Sequence, residues 1–387
     1  MERAVSEIKK AEELYSLESR TFLESTGIYH FPLFCYLVDC GFNASIINPI
    51  ITHSTKNGNI RKVKNDKIDS KGIAKLGLSK DIPVSQFPAK LVLELRSLTR
   101  KYYDLTDERS AHINKLKGDL HTVFPQYLDV FCDVTGKTST MILRQYGTPD
   151  KILRGHKKTM IEKISKASRK GLAKASERYE KLCAAANAAK TFGCQIDSIY
   201  FNIFLTLDLV EKLDSALDSI LNRIRQLITF NKNEKFIQQI KLLNTIPGVG
   251  FLTAVTIMCE IGDFSAFRNP KQLFAYFGLD PEVNESGKFV GTQLHMSKRG
   301  SRIARRAIFA VALASIRTKR NGEGINPYLR KYYELKSGQK PKMVAIGAVM
   351  HKVCNIVFAV LRDEKAFELR SPEEHCKQYQ RPALAAA

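Results

Sequence analysis

Val210, Leu213, Leu217, Ile220, Ile224 and Leu227 recur at spacings of 3, 4, 3, 4 and 3, and this run constrains the chain more than any other feature. That period keeps a single apolar stripe of a helix turned toward a partner for about three heptads. The helix is either one arm of a coiled coil or long helical hairpin, or it is laid along a globular core. The first arrangement suggests a dimer. Under either, the middle of the chain is helical.

The segments before and after this helix follow different rules. Residues 1 to about 85 read as α/β. Helix formers fill 2–19, TFLES (21–25) is a short β-prone run, and Ile28 to Asp39 suits a helix with Pro32 in its first turn. Phe42 to Ile47 is a second strand closed by Asn48-Pro49. Alternating strand and helix implies a parallel or mixed sheet, yet two strands make a weak sheet by themselves, so this domain reads as incomplete. From Phe87 to about Phe124 a charged helix interleaves Arg96, Arg100, Lys101, Arg109, Lys115 and Lys117 with leucines and isoleucines. Residues 133–200 are Ala/Lys-rich and helical, broken near Gly147-Thr148-Pro149. Residues 241–365 form a further compact, nearly all-helical unit, followed by a polar and then Ala-rich tail.

Charge narrows the partner. Lys and Arg outnumber Asp and Glu by 61 to 39, a net charge of +22 spread along the whole chain. Such an excess points to a polyanion, most economically nucleic acid, and says nothing about sequence specificity. No run approaches the roughly 18 uninterrupted apolar residues of a membrane span, and the first residues lack a signal-peptide layout. The expectation is a cytoplasmic protein without a membrane partner. The eight cysteines form no CxxC pair and no zinc-spaced cluster with histidine, which suits reduced thiols used as small core residues.

Three features could carry chemistry. Glu24 ends the first strand, and Asp66 and Asp69 open a helix three residues apart, on one face. Clustered carboxylates suit Mg2+, a hard ion that activates phosphodiesters, although an Asp at a helix start also serves as a cap. Next, IPGVG (246–250) separates two apolar helices in a helix-hairpin-helix-like element. Gly248 and Gly250 would bare backbone N–H groups to a DNA phosphate, or simply form a tight turn. Finally, LHMSKRGSRIARRAIFAVALASI (294–316) sets Ser297, Lys298 and Arg299 ahead of a helix starting near Gly300. Arg302, Arg305 and Arg306 oppose its apolar face. Ser297 reads either as the N-cap or as a nucleophile on phosphorus among cations that stabilise developing charge. The nearest histidine, His295, is the only local candidate for a base.

In this order the strings resemble the DEDD transposases of bacterial insertion sequences, specifically the insertion-sequence one-ten family. They are ESTGIYHFPLFCYLVDCGFNASIINP (24–49), KVKNDKIDSKGIAKL (62–76), LRSLTRKYYDLTDERSAHINKLKGDLH (95–121), IPGVGFLTAVTIMCEIGDFSAFRNPKQLFAYFGLDP (246–281), HMSKRGSRIARRA (295–307) and NPYLRKYYELKSGQKPKMVAIGAVMHKVCNIVFAVL (326–361). The resemblance implies an α/β RNase H-like (RuvC-like) amino-terminal domain over 1–125, a helical and coiled-coil region over 126–240, a mostly α carboxyl-terminal transposase domain over 241–366 and a tail over 367–387. It implies that Glu24, Asp66 and Asp69 hold Mg2+ and that Ser297 forms a transient phosphoserine link to DNA. It further implies a structured guide RNA and a homo-oligomer, dimer or tetramer, acting in recombination. The family's first Asp precedes its Glu by several tens of residues, whereas only 23 residues precede Glu24 here, so the resemblance also implies an amino-terminally truncated copy. Two other readings follow: a catalytically inactive nucleic-acid-binding remnant, and a Holliday-junction-type nuclease that would not use Ser297.

Overall fold

The computed structural model describes residues 1–24, 29–47, 66–78, 90–281, 285–286, 289–290, 295–371 and 373–374. The chain divides into two compact units, Met1–Lys90 and Leu91–Ala387.

In the first unit α1 (Glu2–Tyr15) precedes β1 (Arg20–Glu24), α2 (His30–Asp39) and β2 (Asn43–Ile47). The two strands pair in parallel, with Arg20 opposite Asn43 and Glu24 opposite Ile47. This is the expected strand–helix–strand alternation, with Pro32 in the first turn of α2 where its missing N–H costs nothing. Phe34, Leu37 and Ala44 form a small core, closed by Val5 and Ile8 of α1 and by Leu23, Phe42 and Ile46. Helix α3 (Asp66–Gly77) lies against β1, its Gly77 abutting the Phe22 ring.

The second unit is helical and has two cores. The helices α4 (Lys90–Val123) and α10 (Asp197–Phe230) are each 34 residues long and run antiparallel between the cores. Leu91 and Leu95 at the start of α4 share one core with Ile224 and Leu227 at the end of α10. Leu116 and Leu120 near the end of α4 share the other with Tyr200, Ile203 and Leu207. Midway, Arg109 of α4 is ion-paired to Asp214 of α10. The heptad stripe is therefore occupied from within the same chain: Val210, Leu217, Ile224 and Leu227 are buried, while Leu213 and Ile220 are half-buried.

Between those long helices lie α5 (Tyr127–Val130), α6 (Lys137–Gln145), α7 (Pro149–Arg154), α8 (Lys157–Ser168) and α9 (Leu172–Phe192). The break at Gly147-Thr148-Pro149 is a helix start, with Thr148 as N-cap and Pro149 in the first turn.

The other core gathers α11 (Lys235–Leu243), α12 (Phe251–Ile261), α13 (Pro270–Tyr276), α14 (Arg302–Ser315), α15 (Pro327–Ser337) and α16 (Lys342–Asp363), with two short strands, β3 (Glu285–Ser286) and β4 (Phe289–Val290). α16 is long and apolar enough to cross a membrane by length and composition. Ala345, Val349, Val353, Val357 and Leu361 are buried along it, and it packs on α11, α13, α14 and α15, the pattern of a central core helix.

The cysteines depart from their expected core role. Cys259 and Cys354 are buried, whereas Cys40, Cys132 and Cys194 are exposed and Cys35 and Cys183 half-buried. Cys376 lies outside the described residues.

Candidate active site

The SKRG string is a backbone knuckle. The N–H of Ser297 donates to the Asp280 carbonyl at 2.8 Å and that of Lys298 donates to the Gly278 carbonyl at 3.1 Å, and Met296 bridges Pro281 in antiparallel fashion. Two glycines allow this approach. A Cβ on Gly300 would lie 1.9 Å from the Tyr276 carbonyl oxygen, and one on Gly278 would lie 2.5 Å from the Gly300 nitrogen. Gly278 also sits at φ +66°, a conformation open to glycine at no steric cost. Lys298 adopts φ 53° without that freedom, a strained backbone position immediately after Ser297.

Ser297 is not the helix cap. The N-cap of α14 is Ser301, whose Oγ accepts from the Ala304 N–H at 3.1 Å. Ser297 Oγ instead donates to Asp280 Oδ1 at 2.6 Å. His295, the base suggested by proximity in sequence, is exposed, and among the described residues the side-chain partner of Ser297 is Asp280. Lys298 and Arg299 flank the serine, exposed and without an ion pair among the described residues.

Beneath the knuckle lies Glu260, the only Asp, Glu, Lys or Arg among the buried residues described. Arg100 of α4 grips it in a bidentate pair at 2.9 and 3.0 Å. Burial alone would raise the Glu260 carboxyl, but hydrogen bonds from Arg100 and Ser301, with the charges of Arg100 and Arg96, hold it below its ordinary value. Arg96 donates to the Cys259 carbonyl at 2.7 Å and the Tyr276 hydroxyl donates to the Glu260 carbonyl at 3.1 Å. Burial pushes the Tyr276 phenol up. The buried acid thus ties α4, α12 and α13 to the start of α14.

The three arginines of α14 divide by partner. Arg305 donates to the carbonyls of Phe277 at 3.1 Å and Gly300 at 2.7 Å, so its guanidinium fastens the knuckle. Burial lowers its pKa from the ordinary arginine value. Arg306 pairs with Asp107 of α4 at 2.7 Å and stacks 4.8 Å from the Tyr103 ring centroid. Arg302 reaches the same Asp107 at 3.0 Å while 76% of its side chain stays exposed. Arg96, Arg100, Tyr103 and Asp107 form one face of α4, at the spacing that stacks side chains along a helix.

The hairpin glycines divide too. Gly248, at φ +97°, presses on Ser315, to whose Oγ an added Cβ would come within 2.5 Å. Ser315 Oγ in turn donates to the Pro247 carbonyl at 3.0 Å. Gly250 is exposed at the N-cap of α12, with nothing within 4 Å of a Cβ built there.

In the first unit Glu24 ends β1 and Asp69 lies in the first turn of α3, both half-buried. Asp66 opens α3, and its side chain lies outside the description. The described residues hold no group of three potential metal ligands among His, Cys, Asp and Glu.

Sequence reasoning missed Asp280 and Glu260. Asp280 is 17 residues from Ser297, and its only signal was the GLDP string just before the SKRG segment. Glu260 sat inside an apolar run, where a lone acid invites the question of its partner.

Two family models match the chain. One, described as Transposase IS116/IS110/IS902 family, covers residues 240–334. The other, a transposase model of the DEDD type, covers residues 2–125. Among curated proteins the chain is similar to the insertion element IS110 uncharacterized 43.6 kDa protein of Streptomyces coelicolor, 23% identical over 286 residues, 73% of this chain and 66% of that protein. It is 30% identical over 177 residues to the pilin gene-inverting protein of Moraxella bovis, 46% of this chain and 52% of that protein. The transposase for insertion sequence element IS1111A of Coxiella burnetii is 26% identical over 188 residues, 47% of this chain and 50% of that one. In these three the chain spans about half to two thirds of the relative's length.

Proposed function

From the premise that this chain belongs to the IS116/IS110/IS902 family of transposases, we propose that it cleaves and exchanges DNA strands with Ser297 as the nucleophile. The observation that carries this reading is the placing of Ser297. Its hydroxyl is released from capping duty, bound to a carboxylate at 2.6 Å, and held on a strained turn directly ahead of two exposed cations. Lys298 and Arg299 would bind the scissile phosphate and stabilise charge as it builds on the phosphoryl oxygens. Gly250 at the start of α12 would receive a neighbouring backbone phosphate. Arg302, the most exposed of the α14 arginines, would contribute to the same track, while Arg305, Arg306 and Gly248 support the surface from behind.

The amino-terminal unit would supply the second half of the chemistry. Its parallel β1–β2 pair would belong to an RNase H-like, RuvC-like domain within the first 125 residues, the stretch the DEDD-type transposase model matches. Glu24, Asp66 and Asp69 offer only oxygen donors, the set that suits a hard divalent ion such as Mg2+. Bound there, the ion would polarise a phosphodiester and ease departure of its leaving oxygen. Strand exchange needs two DNA duplexes and four strands held together, so the working form is a homo-oligomer, directed to its sites by a structured RNA of the element.

The test is covalent capture. Duplex DNA carrying the element's ends is incubated with the protein, the element's RNA and Mg2+, and protein–DNA adducts are sought after denaturation. An adduct that Ser297→Ala abolishes supports the reading. Cleavage that survives Ser297→Ala overturns it in favour of a junction nuclease acting through the carboxylates alone.

A further inference from the structure

The geometry points to Asp280 as the general base that takes the proton from Ser297, an inference that rests on the reading of Ser297 as nucleophile. A catalytic base must lie within hydrogen-bond reach of the proton it removes, about 2.6–3.2 Å between heavy atoms. Asp280 Oδ1 meets this at 2.6 Å from Ser297 Oγ.

The arrangement is more than a tether. The two segments are already joined by backbone: Ser297 N–H to Asp280 O, Lys298 N–H to Gly278 O, and the Pro281–Met296 bridge. The side-chain contact is additional to those backbone links, and it fixes the hydroxyl that directly precedes Lys298 and Arg299, two cations without an ion pair among the described residues. Asp280 itself has no ion pair with Lys or Arg among the described residues. Two acids nearby have such partners, Glu260 with Arg100 and Asp107 with Arg302 and Arg306. An acid left without a cation and bound to a hydroxyl is free to accept that hydroxyl's proton.

The fold builds this contact at a cost in strain. Lys298 at φ 53° and the glycine approach of Gly300 to Tyr276 and Phe277 both set Ser297 opposite Asp280. Held so, the hydroxyl has lost the rotational freedom that a surface serine would have to give up before attack.

The step balances as follows. Ser297 Oγ forms a bond to phosphorus while its proton passes to Asp280 Oδ1. The bond from phosphorus to one deoxyribose oxygen breaks, its electron pair leaving with that oxygen, which takes a proton from water. The products are a phosphoserine diester and a free deoxyribose hydroxyl. On resealing, an attacking deoxyribose hydroxyl gives up its proton to water, Oγ leaves, and Asp280 returns the serine proton.

Four proteins are compared in single-turnover adduct formation on saturating element-end DNA with the element's RNA and Mg2+: wild type, Ser297→Ala, Asp280→Asn and Asp280→Ala. General-base catalysis is typically worth 10²- to 10⁴-fold, so Asp280→Asn, whose amide oxygen still accepts from Oγ, should slow adduct formation by about 10²-fold or more. Its DNA affinity and unfolding midpoint should match wild type. Asp280→Ala should be slowed similarly and regain part of its rate with added formate, a small diffusible base. An adduct rate for Asp280→Asn within about threefold of wild type overturns the inference. So does a loss accompanied by equally weakened DNA affinity or a lowered unfolding midpoint, or a folded Asp280→Ala protein that formate leaves unchanged. An adduct that persists in Ser297→Ala instead defeats the nucleophile reading itself, which keeps the two failures apart.

Discussion

The two cores of the Leu91–Ala387 unit share the same pair of 34-residue helices but are built on different terms. The core between α4 and α10 that holds α5 to α9 is aliphatic and aromatic throughout, and its buried polar groups are Thr138, Ser139 and Thr206. Of its three buried tyrosines, Tyr127, Tyr179 and Tyr200, Tyr127 donates to Ser139, with burial pushing its phenol far above its usual range. The core at the other end buries a glutamate with two arginines beside it. Buried charge is costly, and here it lies beneath the turn that carries Ser297 and, directly after it, the exposed Lys298 and Arg299. The lesson is that one end of the paired helices specifies shape by filling volume, and the other by fixing polar groups.

The comparison breaks most visibly at Gly300. An added methyl would fall 1.9 Å from the Tyr276 carbonyl oxygen and 2.6 Å from the Phe277 carbonyl carbon. Both are backbone atoms, so no side chain can swing aside. Gly300→Ala should destabilise by more than the roughly 3 kcal/mol at which overpacking usually tops out. Within any surviving fold it should abolish adduct formation by parting Ser297 from Asp280. Urea unfolding and adduct capture read the two effects; a variant of wild-type stability and activity would show that the knuckle is not the rigid element described.

Next in size is Arg100→Met, which leaves the buried Glu260 without its bidentate partner. Removing one side of a buried pair costs about 3–5 kcal/mol, and the lower end applies because 53% of the Arg100 side chain is exposed. The pH dependence should also change form. In wild type the Glu260 carboxyl is held below its ordinary value, so its stabilising contribution is present above the unfolded glutamate pKa and is lost as pH falls through the folded one. In Arg100→Met burial dominates and the carboxyl rises, so the charge penalises the fold at neutral pH and relents on protonation. The gap between wild type and variant, measured as unfolding midpoints at neutral pH and near pH 4, should narrow on acidification. A constant gap would mean that Arg100 contributes packing rather than charge.

How much of this was legible in the sequence follows the same divide. Periodicity and turn residues located β1, α2, β2 and the break at Gly147-Thr148-Pro149, because those depend on local preferences. The heptad stripe was legible as a helix face, and its partner was not, since a 3.5 period says nothing about whether the facing helix belongs to the same chain. The SKRG segment was legible as chemistry, but that the cap role weighed for Ser297 falls instead to Ser301 emerges only from the backbone. Asp280 was hidden because its contact depends on Gly278 and Gly300, whose close approach no spacing rule encodes. The arginines of α14 were read as a cationic face; a helix wheel cannot tell that Arg305 turns back onto the carbonyls of Phe277 and Gly300.

The smallest test sharpens the comparison from the quiet end. Gly118 lies within α4 beside Leu116 and Leu120 of the aliphatic core, exposed, with nothing within 4 Å of a Cβ built on it. Glycine inside a helix is disfavoured relative to alanine by about 0.5–1 kcal/mol, so Gly118→Ala should stabilise the protein by roughly that amount. This is opposite in sign to Gly300→Ala for the same chemical change. If the aliphatic end only fills volume, strand exchange should proceed at the wild-type rate in the stabilised protein. A protein that gains stability but loses strand exchange would assign α4 a bending motion in the reaction, and the division between a structural end and a chemical end would have to be abandoned.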